Sequence, residues 1–144
     1  MQLRAARPDE AERLSEIARL SKAHWGYSAA RIDSWRAAFL TVSGDYITAH
    51  SVWVVADEAD RPVAFAALER SAAGDALEHL WVRPAYIGRG IGRRLFQRVA
   101  SESPAFTFTS DPHADDFYTR MGARKIGVVN SDHQARALTL FRYP

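Results

Sequence analysis

Apolar residues change their spacing several times along the chain, and each change marks an element. From Pro8 to Trp25, PDEAERLSEIARLSKAHW puts Leu14, Ile17, Ala18 and Leu20 or Ser21 on one helical face. Pro8 stands at its start, where a missing N–H costs nothing, and Asp9, Glu10 and Glu12 complement the positive end of the helix dipole. SAARIDSWRAAFL (28–40) predicts a second helix that ends near Ser43-Gly44. The spacing then becomes that of strands. HSVWVVADE and RPVAFAALERS flank a polar Asp57–Arg61 turn, and ALEHLWV is the third strand of this run. A short strand, QLRAA, precedes the first helix. Downstream, Leu95, Phe96 and Val99 form one stripe while Arg93, Arg94, Gln97 and Arg98 cover the remaining surface, so a helix runs to about Ser103. A strand AFTFT, a helix from Pro112 to Met121, a break at Gly122 and two strands, ARKIGVV and RALTLFRY, follow. The order β-α-α-β-β-β-α-β-α-β-β is that of an α/β mixed-sheet fold in one domain, 1–144, without repeat or linker.

Composition narrows the class of function. With 47% apolar residues in 144, the chain can bury a substantial core. The absence of cysteine removes disulfides, a thiolate zinc site and a cysteine nucleophile, and fits a reducing, cytoplasmic setting. No run approaches the roughly 20 apolar residues needed to cross a bilayer, and the charged start does not resemble a leader, so a soluble, unprocessed protein without a membrane partner is expected. Net charge is only +2, but its distribution is uneven. His79 to Ser101 holds Arg83, Arg89, Arg93, Arg94 and Arg98 and no carboxylate, whereas acids are spread through the first half. A compact phosphorylated ligand explains this pattern more economically than a nucleic acid does.

The basic stretch coincides with VRPAYIGRGIGRRL, in which Gly88, Gly90 and Gly92 stand where a strand passes into a helix. Backbone N–H groups at a helix start lack internal partners and carry the positive end of the dipole, and glycine lets an anion come close to them. The segment reads as a phosphate-binding turn; a structural glycine turn beside a solvated basic helix is the other reading. It is not the dinucleotide fingerprint, because Arg93 stands where the third glycine belongs, nor a P-loop, because no Lys-Ser/Thr follows. In TSDPHADDFYTRMGA, the residues Ser110, Asp111, Pro112, Asp115 and Asp116 are accounted for by helix capping and dipole complementation. The five histidines show no paired ligand spacing, so no metal is expected. Phe117 and Tyr118 remain. Adjacent helical aromatics diverge by about 100°, so one can enter the core while the other reaches a cleft. A tyrosine hydroxyl there can protonate a leaving anion; packing is the alternative.

The glycine turn after LEHLWVRP and the later DPHADDFYTRMGARKIG together resemble the GNAT superfamily of acyl-CoA-dependent N-acetyltransferases. The family's phosphate motif, Gln/Arg-x-x-Gly-x-Gly/Ala, maps to Ile87-Gly88-Arg89-Gly90-Ile91-Gly92. Its Asn-x-x-Ala-x-x-Phe-Tyr motif, followed by Gly-Phe, maps to Asp111 through Tyr118 and then Gly122-Ala123. Ile87, Asp111 and Ala123 depart from the pattern, and Asp111 sets a negative charge near a polyanion. The resemblance implies a GNAT-type fold, its mostly antiparallel sheet splayed at the cofactor cleft, and an acetyl-CoA co-substrate without a metal. It implies cofactor contacts at Leu80, Trp81 and Val82 along a strand edge, and at Ile87, Gly88, Arg89, Gly90, Gly92, Arg93 and Arg94 around the pyrophosphate. Direct attack by a primary amine on the thioester is implied, with Tyr118 as acid.

Glu78 is the candidate base. Period-two alternation puts it on the face of Ala76, Leu80 and Val82, with His79 turned away; a solvated strand residue, with a water chain as base, is the other reading. Trp25, Tyr27, Trp35 and Phe39 on the first two helices divide between core and acceptor site, which favours a small or amino-acid-like amine. The apolar end strand RALTLFRY suits a homodimer. A non-catalytic CoA-binding or partner-binding module is the alternative function.

Overall fold

The two continuous apolar runs of the chain become β2 (Ser51–Ala56) and β3 (Pro62–Glu69), buried along nearly their whole length because helices cover both faces of the sheet. The structure, a computed structural model, describes residues 1–131 and 136–144. With β1 (Gln2–Ala5), β4 (Asp75–Val82), β5 (Phe106–Ser110), β6 (Arg124–Ser131) and β7 (Arg136–Tyr143), they form one sheet in the order β1-β2-β3-β4-β5-β7-β6. All neighbouring pairs are antiparallel except β4 and β5.

One face of the sheet is covered by α1 (Ala11–His24), α2 (Ala29–Phe39) and α3 (Gly44–Ala49), whose Leu14, Ile17, Trp35 and Ile47 pack on Val52, Val54 and Phe65. The other face carries α4 (Ile91–Glu102). Its buried Leu95, Phe96 and Val99 form the stripe expected from the sequence, which Ile91 extends, set against Val55, Val63, Ala66 and Leu68. Each such side chain stabilises the fold by about 1.5–3 kcal/mol through removal from water. Beside α4, the short α5 (Asp115–Arg120) adds Tyr118 to a cluster with Phe96, Phe108 and Phe141.

Three expectations need correction. Ser43-Gly44 does not end the second helix: α2 stops at Phe39, and Ser43 instead caps α3, its hydroxyl accepting from the Tyr46 amide at 3.0 Å. The apolar strand RALTLFRY is not at the end of the sheet. As β7 it lies between β5 and β6, and the edge is β6, where Ile126 and Val128 are exposed. Finally, alternation breaks inside β4. Ala67 pairs with His79 but Leu68 pairs with Leu77, so Glu78 is the extra residue of a bulge.

Candidate active site

The bulge and a gap in the sheet create the site. β4 and β5 are paired only at Asp75–Phe106 and Ala76–Thr107. Beyond those pairs the strands diverge, leaving the edge of β4 from Leu77 to Val82 facing a cleft of about 630 Å³. The cleft is floored by β4, Phe108 and Thr109, walled on one side by the glycine turn and α5, and closed at the other end by α1.

The three glycines do different things. Gly88 and Gly90 have φ of +84° and +78°, and a Cβ on either would point into open space; Gly90 forms the N-cap of α4. Only glycine adopts this left-handed backbone without strain. The first helical bond is Arg94 N–H to Gly90 O at 3.1 Å. Consequently, among the described residues, the amides of Gly88, Arg89, Gly90, Ile91, Gly92 and Arg93 have no acceptor. Six consecutive donors therefore stand unpaired at the positive end of a 12-residue helix, an arrangement that can receive an anion. Gly92 is different: it has no left-handed backbone, and a Cβ there would make ordinary contact, 3.4 Å from Phe117 Cζ and 3.6 Å from Val82 Cγ2.

Of the residues expected to contact a cofactor, Leu80, Trp81, Val82, Ile87, Gly88, Gly90, Gly92 and Arg93 all line the cleft. Arg89 and Arg94 do not. The Arg89 guanidinium lies 5.0 Å over the Tyr86 ring, and Arg94 donates to the Met1 carbonyl at 3.3 Å. The indole N–H of Trp81 donates to His79 Nδ1 at 3.0 Å, on the sheet face opposite Leu80 and Val82.

Tyr118 reaches the cleft from within the aromatic cluster and is only 8% exposed. Its hydroxyl has no hydrogen-bond partner among the described residues, and burial raises its pKa above the ordinary 10, so it is protonated at neutral pH. Glu78 also lines the cleft, but not from the predicted face. Because the bulge resets the alternation, Leu77 joins Leu80 and Val82, while Glu78 turns with His79 toward α3. There it accepts a short hydrogen bond from Tyr46 Oη and lies 3.8 Å from His50 Nε2. Burial and the Glu78 carboxylate keep the Tyr46 phenol protonated, and burial, with some repulsion from His50, holds the His79 pKa down to about 4. Neither Tyr46 nor His50 was singled out in the sequence. The signal was there in Ser43 and Asp45, a cap and a first-turn acid that announce the helix presenting them.

At the far end, Asp111 does what a cap should, accepting the His113 amide at 3.1 Å. Its other oxygen accepts from Lys22 Nζ at 2.7 Å and from Tyr27 Oη at 2.9 Å. Lys22 is 2% exposed, its ammonium 5.0 Å from the Tyr27 and Trp35 ring centres. Burial opposes ionisation of Asp111, but the Lys22 ammonium outweighs it and holds the carboxyl below its ordinary range. The negative charge noted in the sequence is thus matched by a buried cation. Of the four aromatics assigned to core or acceptor site, Trp35 is buried, whereas Trp25 lines the cleft and stacks on His113 at 5.3 Å.

The site is thus a mixed seven-stranded sheet split between two strands, with a run of acceptor-free amides at the mouth of the split. The acetyltransferase (GNAT) domain model matches residues 48–122, and the chain belongs to that family. It is 28% identical to the peptidyl-lysine N-acetyltransferase YjaB of Salmonella typhimurium, over 99% of this chain and 97% of the relative. The fold is that of a GCN5-related N-acetyltransferase from Rhodopseudomonas palustris (TM-score 0.78, 21% identity, 98% of this chain and 93% of that one). It is also that of the PaiA N-acetyltransferase from Thermoplasma acidophilum, solved with coenzyme A (TM-score 0.77, 18% identity, 98% and 96%). Among the described residues, no helix is long and apolar enough to cross a membrane.

Proposed function

We propose that this protein transfers an acetyl group from acetyl-CoA directly to a primary amine. The observation that carries the proposal is the run of six acceptor-free amides from Gly88 to Arg93 at one end of an unpaired strand edge. These amides, with the Arg93 guanidinium, fit a pyrophosphate; the free edge of β4 at Leu80 to Val82 fits the amide-bearing arm of coenzyme A. Open space in front of Gly88 and Gly90 leaves room for that contact.

Acetyl-CoA supplies an activated acyl carbon. As the amine nitrogen bonds to it and the carbon–sulfur bond breaks, Tyr118 Oη, protonated and unengaged, delivers a proton to the departing thiolate. Glu78 is positioned to take the proton released by the amine, with Tyr46 orienting its carboxylate. The relative named for peptidyl-lysine makes a lysine side chain in a peptide the first acceptor to try, beside small amines.

Calorimetric titration with acetyl-CoA, CoA and ATP is the primary test. Selective binding of the two CoA species is expected, and lack of binding to either would overturn the assignment. Tyr118→Phe should keep acetyl-CoA affinity while kcat falls about 10²–10⁴-fold. Turnover without affinity loss or rate loss in that variant would remove Tyr118 from the chemistry. Binding of CoA with no turnover on any amine would leave a CoA-binding module.

A further inference from the structure

We propose that His50, Glu69 and Glu78 form a binding site for a divalent transition-metal cation of the zinc type, beside the acetyl-transfer cleft. One ligand atom from each of these three residues lies within 4.8 Å of the others. They come from the end of α3, the end of β3 and the bulge of β4, so no spacing along the chain announces them. His50 Nε2 is 3.7 Å from Glu69 Oε2 and 3.8 Å from Glu78 Oε1.

The tautomer of His50 gives the cluster its meaning. Its Nδ1 lies 3.0 Å from the Tyr46 carbonyl oxygen, which can only accept, so Nδ1 carries the hydrogen. That leaves Nε2 as the ring nitrogen facing the two carboxylates, where a metal cation can take the place of a proton. Three potential ligand atoms converge, and among the described residues no lysine or arginine pairs with Glu69 or Glu78. A cation at the centre satisfies all three.

Tyr46 supplies the support such a site requires. Its carbonyl fixes the imidazole, its ring stacks on His50 at 4.0 Å, and its hydroxyl fixes Glu78. Outer contacts of this kind orient metal ligands and raise their basicity. One imidazole and two carboxylates suit zinc or cobalt better than magnesium, which prefers an all-oxygen shell. Ligand atoms around a tetrahedral zinc stand about 3.3 Å apart, so the observed separations, 3.7 and 3.8 Å to His50 and within 4.8 Å overall, must shrink on binding. The Glu69 and Glu78 side chains, 43% and 34% exposed, can rotate inward. A bound ion would occupy the Glu78 carboxylate and slow acetyl transfer; that consequence rests on the proposed function, whereas the binding itself does not.

The test uses protein stripped with EDTA and titrated with ZnCl2 by calorimetry, with CoCl2 followed by visible absorption, and with excess MgCl2. One zinc ion per chain is expected, displacing cobalt and indifferent to magnesium. His50→Ala and the milder Glu69→Gln should each weaken zinc by at least about tenfold, with circular dichroism and melting temperature showing a folded chain. No saturable uptake by the wild type would overturn the site, as would equal affinity in Glu69→Gln, which would put the ion elsewhere. Zinc binding intact in a protein that acetylates no amine would count against the acetyltransferase reading alone.

Discussion

The glycines of the turn show how residues of one type separate by physical role. Gly92 has ordinary helical backbone angles, and a single methyl there meets Phe117 at an ordinary 3.4 Å. Gly92→Ala should therefore leave the melting temperature unchanged or raise it, since alanine gains up to about 1 kcal/mol over glycine inside a helix. Gly90→Ala faces no clash but has φ of +78°, and should cost about 1–2 kcal/mol of stability in chemical denaturation. Equal effects of the two substitutions would contradict this division. The sequence showed that glycines gather at a strand-to-helix junction, yet the pattern Gly-x-Gly-x-Gly cannot tell a left-handed position from an ordinary helical one. Nor could it sort the arginines: Arg93 lines the cleft while Arg94 donates to the Met1 carbonyl, because residues that follow each other on a helix point in different directions, and Arg89, in the turn before the helix, lies over the Tyr86 ring.

At the scale of elements, the strand and helix order was legible because long stretches keep one period, as α4 does with its buried Ile91, Leu95, Phe96 and Val99. What escaped was short or irregular. α3 has only six residues, too few to show a period, and its signal was the cap. Since Ser43 Oγ accepts the Tyr46 amide, Ser43→Ala should cost about 0.5–2 kcal/mol, and Ser43→Asp should restore it. Amide exchange should speed up in α3 before the rest of the fold responds, because that helix alone loses its cap. Uniform acceleration across the sheet would show instead that α3 is integral to global stability. The β4 bulge escaped for a different reason. A single extra residue turns Glu78 to the other face of the sheet without changing composition, and only the pairing partner reveals it. Glu78 was identified as a cleft residue on an argument that the bulge invalidates; it lines the cleft from the bulge itself, while its carboxylate accepts from Tyr46 of α3.

The whole molecule faces a mechanical problem of its own making, since a sheet opened between β4 and β5 loses strand pairing where it most needs rigidity. The two arms are joined through the sheet at Asp75–Phe106 and Ala76–Thr107. Across the other end of the cleft, Lys22 of α1 grips Asp111 beyond β5, with Tyr27 on the same carboxylate and Trp25 stacked on His113. This buried pair is a clasp between arms that backbone hydrogen bonds leave apart. Asp111→Asn leaves the buried ammonium facing a neutral amide and should destabilise by about 3–5 kcal/mol, whereas Lys22→Met with Asp111→Asn should recover much of that loss, an apolar chain filling the same space. The pH dependence has a definite sign. Asp111 is held below its ordinary 3.8, so its contribution is complete above that value and disappears as pH falls through the lower folded pKa. Unfolding free energies of wild type and Asp111→Asn, measured by urea denaturation from pH 7 downward, should therefore differ most at neutral pH and converge in acid. A constant gap across that range would mean that the clasp acts through shape rather than charge. The acetyl-CoA titration of the same variant then separates two roles for the far end of the cleft: if affinity is kept while acceptor KM rises, the clasp shapes the acceptor site, and if CoA affinity falls as well, it holds the whole split sheet at its working width.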